Sequence, residues 1–327
     1  MLAFAYHLIR VSPPARCLVH NFIHCEVLSI LTTEEQSALT DRLDQFLDAL
    51  PFEHIAEEVA QSSQHNVETI AAMLDTYANE SRVSVGLIKD HLQPGLQLLE
   101  VGAGLCFTSL FLKSEGYQIT ALEPAIGGFG MFERLKNAVL KHHAALQLEV
   151  ITVPAQQLNR KQHGQFDLIF SNNVIEHIPD WQAAFTAMTS VLSRQGSMVH
   201  ACPNYSVPYE PHYGVPVFRR LPGLSRLLFL SSRCDAEIWD SLNFITCKNI
   251  RNYCNSYGLT YCFEKELLYN ALKRIDDDPL FKQRHQGFIA GIATFVMRSG
   301  LGELIRRIPP AMATPMIVEI SRQQEES

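Results

Sequence analysis

From Leu96 onward, short apolar runs alternate with amphipathic stretches along the chain. "LQLLEV" reads as a buried strand and "CFTSLFLKSEG" as a helix closed by Gly116. "YQITALEP" is then a strand, "GMFERLKNAVLKHH" a helix, and "LQLEVITV" and "FDLIFSN" two further strands. "DWQAAFTAMTSVLSRQG" reads as a helix closed by Gly196, and "SMVHACP" as the fifth strand. Further on, "CKNIRNYCNSYG" is a helix closed by Gly258, followed by the strands "LTYCFEKE" and "PMIVEISR". Strands alternating with helices of about 10–15 residues predict an α/β fold with a doubly wound, mostly parallel, seven-stranded sheet.

The residues before Leu96 follow a helical period instead. "TTEEQSALTDRLDQFLDAL" puts Leu39, Leu43, Phe46, Leu47 and Leu50 on one face, with Thr33 as N-cap and Gln36 at the capping-box position. A second helix is expected through Ile55, Val59, Val67, Ile70, Met73 and Leu74, and a third from Val83 to His91, before Pro94-Gly95. The division expected is a helical cap over 1–94 and an α/β domain over 95–327. That domain carries inserts at about 203–246 and 266–313, too long for ordinary connections and suited to lids or binding loops.

Composition narrows the class. The chain has 327 residues, 47% hydrophobic and 19% charged, with a net charge of −7. A nucleic-acid footprint needs clustered positive charge, so no nucleic-acid partner is expected. None of the eight cysteines forms a C-x-x-C pair, which leaves reduced, buried thiols as the expectation. "MLAFAYHLIRVSPPARC" lacks a basic n-region, and the apolar run Phe288 to Met297 falls short of a membrane span. A cytoplasmic protein is expected.

The chemistry starts at Glu100-Val101-Gly102-Ala103-Gly104, directly after the first predicted strand. Glycines there let backbone N–H groups and the next helix approach a ligand. A nicotinamide or flavin turn wants a third glycine where Phe107 stands, and phenylalanine is too bulky for close helix–strand packing. A carboxylate two residues before the first glycine suits a ligand with a cationic amine, such as S-adenosylmethionine. Glu123, at the end of the second strand, can accept hydrogen bonds from ribose hydroxyls, which supports an adenosine ligand of either kind.

Four motifs in order, "LLEVGAG", "ALEP", "FDLIFSNNVIEHIPDW" and "VLSRQGSMVHACPN", make the segment from about Leu96 to Pro203 resemble the class I S-adenosylmethionine-dependent methyltransferases, whose sheet is Rossmann-like. It is most similar to the group that includes the ubiquinone-biosynthesis O-methyltransferases. The resemblance implies that Glu100, Gly102 and Gly104 surround the methionine end of the cofactor and that Glu123 binds the ribose. It also implies that Ala155 and Gln156 lie beside the adenine and Asn172 near the methionine part. Two departures stand out: Cys106 replaces a third glycine of the first motif, and Gln156 replaces a frequent acidic residue.

Methyl transfer from a sulfonium is an in-line displacement in which the protein positions and desolvates. An oxygen acceptor often needs a base, and histidine suits that near neutral pH. "IEHIPD" sets Glu176 and His177 at the strand's C-terminal exit, with His177 as first candidate for general base or acceptor contact, and loop structure as the alternative for the pair. Some relatives bind a metal here, but the acidic residue three before Glu176 is Asn173 in this chain, so no metal is expected. Asn204, Tyr205, Tyr209, Glu210 and Tyr213 are candidate acceptor contacts, and His212 a second base candidate. In "FRRLPGLSRLLFLSSR", Arg219, Arg220, Arg226 and Arg233 interleave with leucines; the stretch suits either a membrane surface and a lipid-like acceptor or the core-facing helices of a lid. The expected reaction is methyl transfer to a small-molecule or lipid- or sugar-linked metabolite, with oxygen as acceptor atom. The rivals are a catalytically silent cofactor-binding scaffold and a nicotinamide-dependent oxidoreductase.

Overall fold

The computed structural model of the chain describes residues 33–124, 130–229, 236–277, 295 and 297–323. Cys17, Cys25, Arg233, Cys234, the N-terminal stretch and most of the Phe288–Met297 run lie outside the described residues. The core is a sheet of seven strands: β1 (Gln97–Val101), β2 (Gln118–Leu122), β3 (Glu149–Ile151), β4 (Phe166–Asn172), β5 (Leu192–Cys202), β6 (Leu259–Phe263) and β7 (Met316–Arg322). Their order is β3-β2-β1-β4-β5-β7-β6. β1 to β5 pair in parallel, and β7 runs antiparallel between β5 and β6. This is the mostly parallel doubly wound sheet expected.

Alternation along the central strands explains the two layers. Leu98 and Leu168 face one hydrophobic cluster, whereas Leu99 and Ile169 face the other. Both faces are covered, so the strands read as continuous apolar runs. The first cluster takes in α4 (Phe107–Ser114), α5 (Gly130–His142) and the three described helices that precede the sheet. The second holds α6 (Trp181–Val191) and α7 (Cys247–Ser256), the latter started by a capping box of Thr246 and Asn249.

Several local expectations are corrected. α1 (Thr33–Asp48) includes Thr33, so Thr33 is not its N-cap. α2 (Phe52–Ala60) stops before Val67, and a new helix, α3 (Val67–Ile88), starts with the Asn66 side chain accepting from the Thr69 amide at 2.9 Å. The second and third predicted helices are thus re-divided, and α3 runs 22 residues without a break. α6 ends at Val191 and not at Gly196, which instead lies within β5, where an added Cβ would come within 2.8 Å of the Asp167 carbonyl. Among the described residues no helix is long and apolar enough to cross a membrane.

The C-terminal ends of β1 to β5 present the glycine turn, Glu123, Ala155, the Asn172–His177 stretch and the segment after Cys202. That is the side on which open α/β sheets bind ligands. α3 packs over this end, and Leu74, Ile70 and Ala78 belong to the same cluster as Leu98 and Phe111. Leu74→Ala is expected to lower stability by about 2–5 kcal/mol and to move one cooperative denaturant transition. A separate early transition with the main one unmoved would show that the helices melt apart from the sheet.

Candidate active site

The turn after β1 is built by glycine. Gly102 and Gly104 have φ of +71° and +57°, in the left-handed region that side chains disfavour. The Gly102 amide donates to the Leu122 carbonyl at 2.8 Å, and the Gly104 amide donates to Glu123 Oε2 at 2.7 Å. A Cβ on Gly102 would overlap the Val174 side chain, and one on Gly104 would come within 2.7 Å of the Tyr77 ring. Phe107, where a third glycine would stand in a nicotinamide turn, is buried and stacked on Phe52 at 5.6 Å. Glu100 is buried and accepts from the Ser109 hydroxyl of α4. Burial pushes its pKa up to about 7 against the Ser109 and Thr108 hydroxyls. Glu123 is likewise raised by burial to about 7, opposed by the Gly104 N–H and Lys136.

Beside this turn stands a group that the sequence reading missed. Glu80 of α3 accepts from Asn172 Nδ2 at 2.8 Å and Asn173 Nδ2 at 2.9 Å. Asn173 adopts a left-handed backbone, φ +56°, which turns the chain out of β4. The Oδ1 atoms of both asparagines are buried without a hydrogen-bond partner, so the site favours a ligand rich in N–H or O–H donors. Burial raises the Glu80 pKa, with Asn173, His212 and Asn172 opposing it. Tyr77 and Glu80 lie three residues apart, hence on one helix face; that spacing was the available signal. Ala155 is buried and Gln156 half-buried in a single turn after β3.

At the exit of β4 the fold gathers Glu176, His177, His212 and Glu210. The Ser241 hydroxyl donates to the Ile238 carbonyl at 2.7 Å, so at its 2.7 Å contact with His177 it accepts from Nδ1–H. His177 Nε2 therefore carries the lone pair, 3.9 Å from Glu176 Oε1. Burial, helped by His212, lowers the His177 pKa to about 4, so the ring is neutral. His212 donates from Nδ1 to Glu210 Oε1 at 2.6 Å and places Nε2 3.8 Å from Glu176 Oε1. Burial alone would lower His212, but the Glu210 hydrogen bond and the Glu176 charge raise it. Glu176 is fully buried, neither oxygen has a hydrogen-bond partner, and its pKa rises to about 7 through desolvation, against the pull of His212. Burial also works to raise Glu210, yet its bonds from His212 and the Tyr213 amide hold it below the ordinary range.

The post-β5 candidates divide. Asn204 is buried and donates to the carbonyls of Pro310, Ala311 and Ala313, while its Oδ1 accepts from the Ser206 and Cys247 amides. This corrects its expected role as an acceptor contact: it ties two loops together and has no capacity left. Tyr205 is also buried, but its hydroxyl donates to Glu210 Oε1 at 3.2 Å and its ring lines a cleft of about 660 Å³ with Pro208, Val217, Arg219 and Leu221. Tyr209 is half-buried in a short hairpin, and Tyr213 packs near Trp239. The helix Pro222–Phe229 does not turn its leucines inward, since Leu227 is 80% and Leu228 58% exposed. The core-facing lid reading is corrected there.

Glu176, His177 and His212 offer donor atoms within 4.8 Å of one another, as do His54, Glu58 and His142. In the first set the 3.8 and 3.9 Å separations exceed the roughly 3.3 Å edge of a tetrahedral zinc site. In the second, Lys141 Nζ already lies 2.7 Å from Glu58 Oε1. Asn173, on which the expectation of no metal rests, faces Glu80. Gly102→Ala is expected to cost about 1–3 kcal/mol through overpacking against Val174 and the positive φ. An unchanged thermal midpoint would show that the turn can yield there.

Among solved structures, the chain resembles phosphoethanolamine N-methyltransferase 2 of Haemonchus contortus, with 15% identity, a TM-score of 0.39 and coverage of 70% of this chain and 49% of that one. It also resembles the CcbJ methyltransferase of Streptomyces caelestis, with 11% identity, a TM-score of 0.42 and coverage of 71% and 85%. The chain spans about half the length of the Haemonchus enzyme. Two uncharacterized proteins from strains of Mycobacterium tuberculosis are 30% identical over 241 residues, covering 71% of this chain and 80% of theirs. Residues 60–262 match the model of the family described as "Methyltransferase domain", a span that holds α3, the glycine turn and the His177–His212 cluster. The nicotinamide alternative falls with that match, and the chain belongs to the methyltransferase-domain family, as a class I S-adenosylmethionine-dependent enzyme.

Proposed function

We propose that this methyltransferase acts on an oxygen atom of a small-molecule or lipid- or sugar-linked acceptor, as the ubiquinone-type O-methyltransferases that its motifs resemble do. The observation that carries the reading is a connected line of polar groups from the cleft to the β4 exit. Tyr205 in the cleft wall donates to Glu210, Glu210 holds His212, and His212 and His177 flank Glu176. Bound S-adenosylmethionine supplies a methyl group on a cationic sulfur, so the acceptor must bring a lone pair and lose its proton. On this chain, the left-handed backbone of Gly102 and Gly104 would turn the chain past the cofactor, Glu123 would accept from its ribose, and Ala155 with Gln156 would border the adenine. Asn172 would meet the amino-acid end.

His177 is the proton acceptor in this reading. Ser241 fixes its tautomer and leaves the Nε2 lone pair free to take a proton, and the side chain is 28% exposed. A proton arriving there creates an imidazolium beside Glu176, which the ionised carboxylate stabilises. His212, held charged by Glu210, is suited to steady the acceptor oxygen. The rim supports an apolar, anionic or lipid-bearing acceptor: exposed Leu221, Leu224, Leu227 and Leu228 adjoin Arg219 and Arg220, a combination that also suits peripheral contact with a membrane. Five described cysteines are free thiols, which supports a reducing, cytoplasmic setting.

His177→Gln is expected to lower kcat by about a hundredfold or more while S-adenosylhomocysteine affinity stays unchanged in calorimetry. Full activity in that variant, with His212→Gln inactive, would move the base to His212. With saturating cofactor, kcat/KM for the acceptor should rise with pH and level off above about 7, because protonated Glu176 cannot stabilise the imidazolium. A flat profile from pH 6 to 8 would remove Glu176 from the step. The reading as a whole is tested by feeding metabolite extracts and following S-adenosylhomocysteine release. Tight cofactor binding without turnover on any extract would favour the silent scaffold.

A further inference from the structure

The motif resemblance gives Glu100 to the cationic end of the cofactor, but the arrangement around Glu100 points elsewhere. Its carboxylate is buried beneath the turn and accepts from the Ser109 hydroxyl, which ties β1 to the start of α4. Above the turn the position is different. β1 and β4 are paired with Glu100 opposite Phe170, so two residues on, Gly102 stands abreast of Asn172. α3 crosses at this level, with Tyr77 lying on Gly104 and Glu80 one turn further along the same face.

Glu80 accepts from the side-chain Nδ2 of both asparagines. A carboxylate can only accept, so each asparagine must turn its NH2 toward Glu80 and its Oδ1 away. Both Oδ1 atoms are buried and nothing donates to either. The site thus holds a negative carboxylate, already bonded by two amides, and two amide oxygens in want of donors, and buried acceptors in folded proteins are nearly always partnered. A primary ammonium carries three donors and one positive charge, which matches this set in number and in sign.

We propose that Glu80, Asn172 and Asn173 form the pocket for the cofactor's α-ammonium, and that Glu80, not Glu100, is its counter-charge. The α3 helix then takes part in cofactor binding, with Tyr77 covering the glycine turn and Glu80 closing the amino-acid end. The inference rests on S-adenosylmethionine being the cofactor and goes beyond that reading by naming the residues that recognise one of its groups.

The test compares S-adenosylhomocysteine with 5′-methylthioadenosine, which keeps the adenosine and lacks the amino-acid end, in titration calorimetry on the full chain. Glu80→Gln should weaken S-adenosylhomocysteine tenfold or more and leave methylthioadenosine within about twofold, with an unchanged melting temperature. Asn173→Gly, which keeps the left-handed backbone and removes one Oδ1, should show the same selective loss and serves if Glu80→Gln folds poorly. Equal weakening of both ligands, or of neither, overturns the ammonium pocket and leaves the cofactor assignment standing. If the unaltered chain binds neither ligand, the cofactor assignment fails and takes this inference with it.

Discussion

The absence of two β-carbons is what allows this site to exist. Gly102 and Gly104 admit the Val174 side chain from one direction and the Tyr77 ring from another, so three stretches of chain distant in sequence meet at one turn. The loop after β4 and the helix α3 are therefore held against the same few backbone atoms. Because α3 shares its apolar face with the cluster around Leu98 and Phe111, the position of Glu80 is fixed by the core and not by a loose flap. Binding geometry and folding stability are coupled through that contact.

The electrostatics of the cluster show how little separates a quiet carboxylate from a responsive one. Glu176 and Glu210 are both fully buried and both lie near His212. Glu210 receives a 2.6 Å bond from the imidazole and a backbone N–H from Tyr213, and stays ionised. Glu176 stands 3.8 Å from the same ring with no hydrogen bond, and desolvation wins. One histidine serves both, and a difference of about an ångström sorts their roles. Glu100 and Glu123 follow the same rule, each lifted by burial and restrained by the donors it holds.

The local grammar of strands and glycines was legible because it is written in adjacent residues: "LLEVGAG" states a strand, its turn and the small residues the turn needs. The exit of β4 could be read for the same reason, since Glu176 and His177 sit directly after the apolar run. α3 was divided wrongly because Asn79, Glu80 and Arg82 break its apolar period, and those polar residues are there for what they face in space. Gly196 misled the reading for a related cause: it marks close backbone approach inside β5, not a helix end. Asn204 reads as an acceptor contact in the sequence because its partners at 310–313 lie over a hundred residues away. What the sequence withholds is pairing at long range, and the acceptor's side of the site is made mostly of that.

β7 has a consequence for how the molecule comes into being. It is the last strand among the described residues, yet it lies inside the sheet, with β5 on one side and β6 on the other. β6 has no neighbour until β7 is in place, and the β5 edge stays open for as long. During synthesis, a ribosome would thus release a five-stranded parallel sheet with an unsheltered edge, and the architecture closes only when the residues around Met316–Arg322 have emerged. Such a late, central and antiparallel closure makes completion of the sheet a non-local event, the kind of step that slows folding and exposes nascent chains to mispairing.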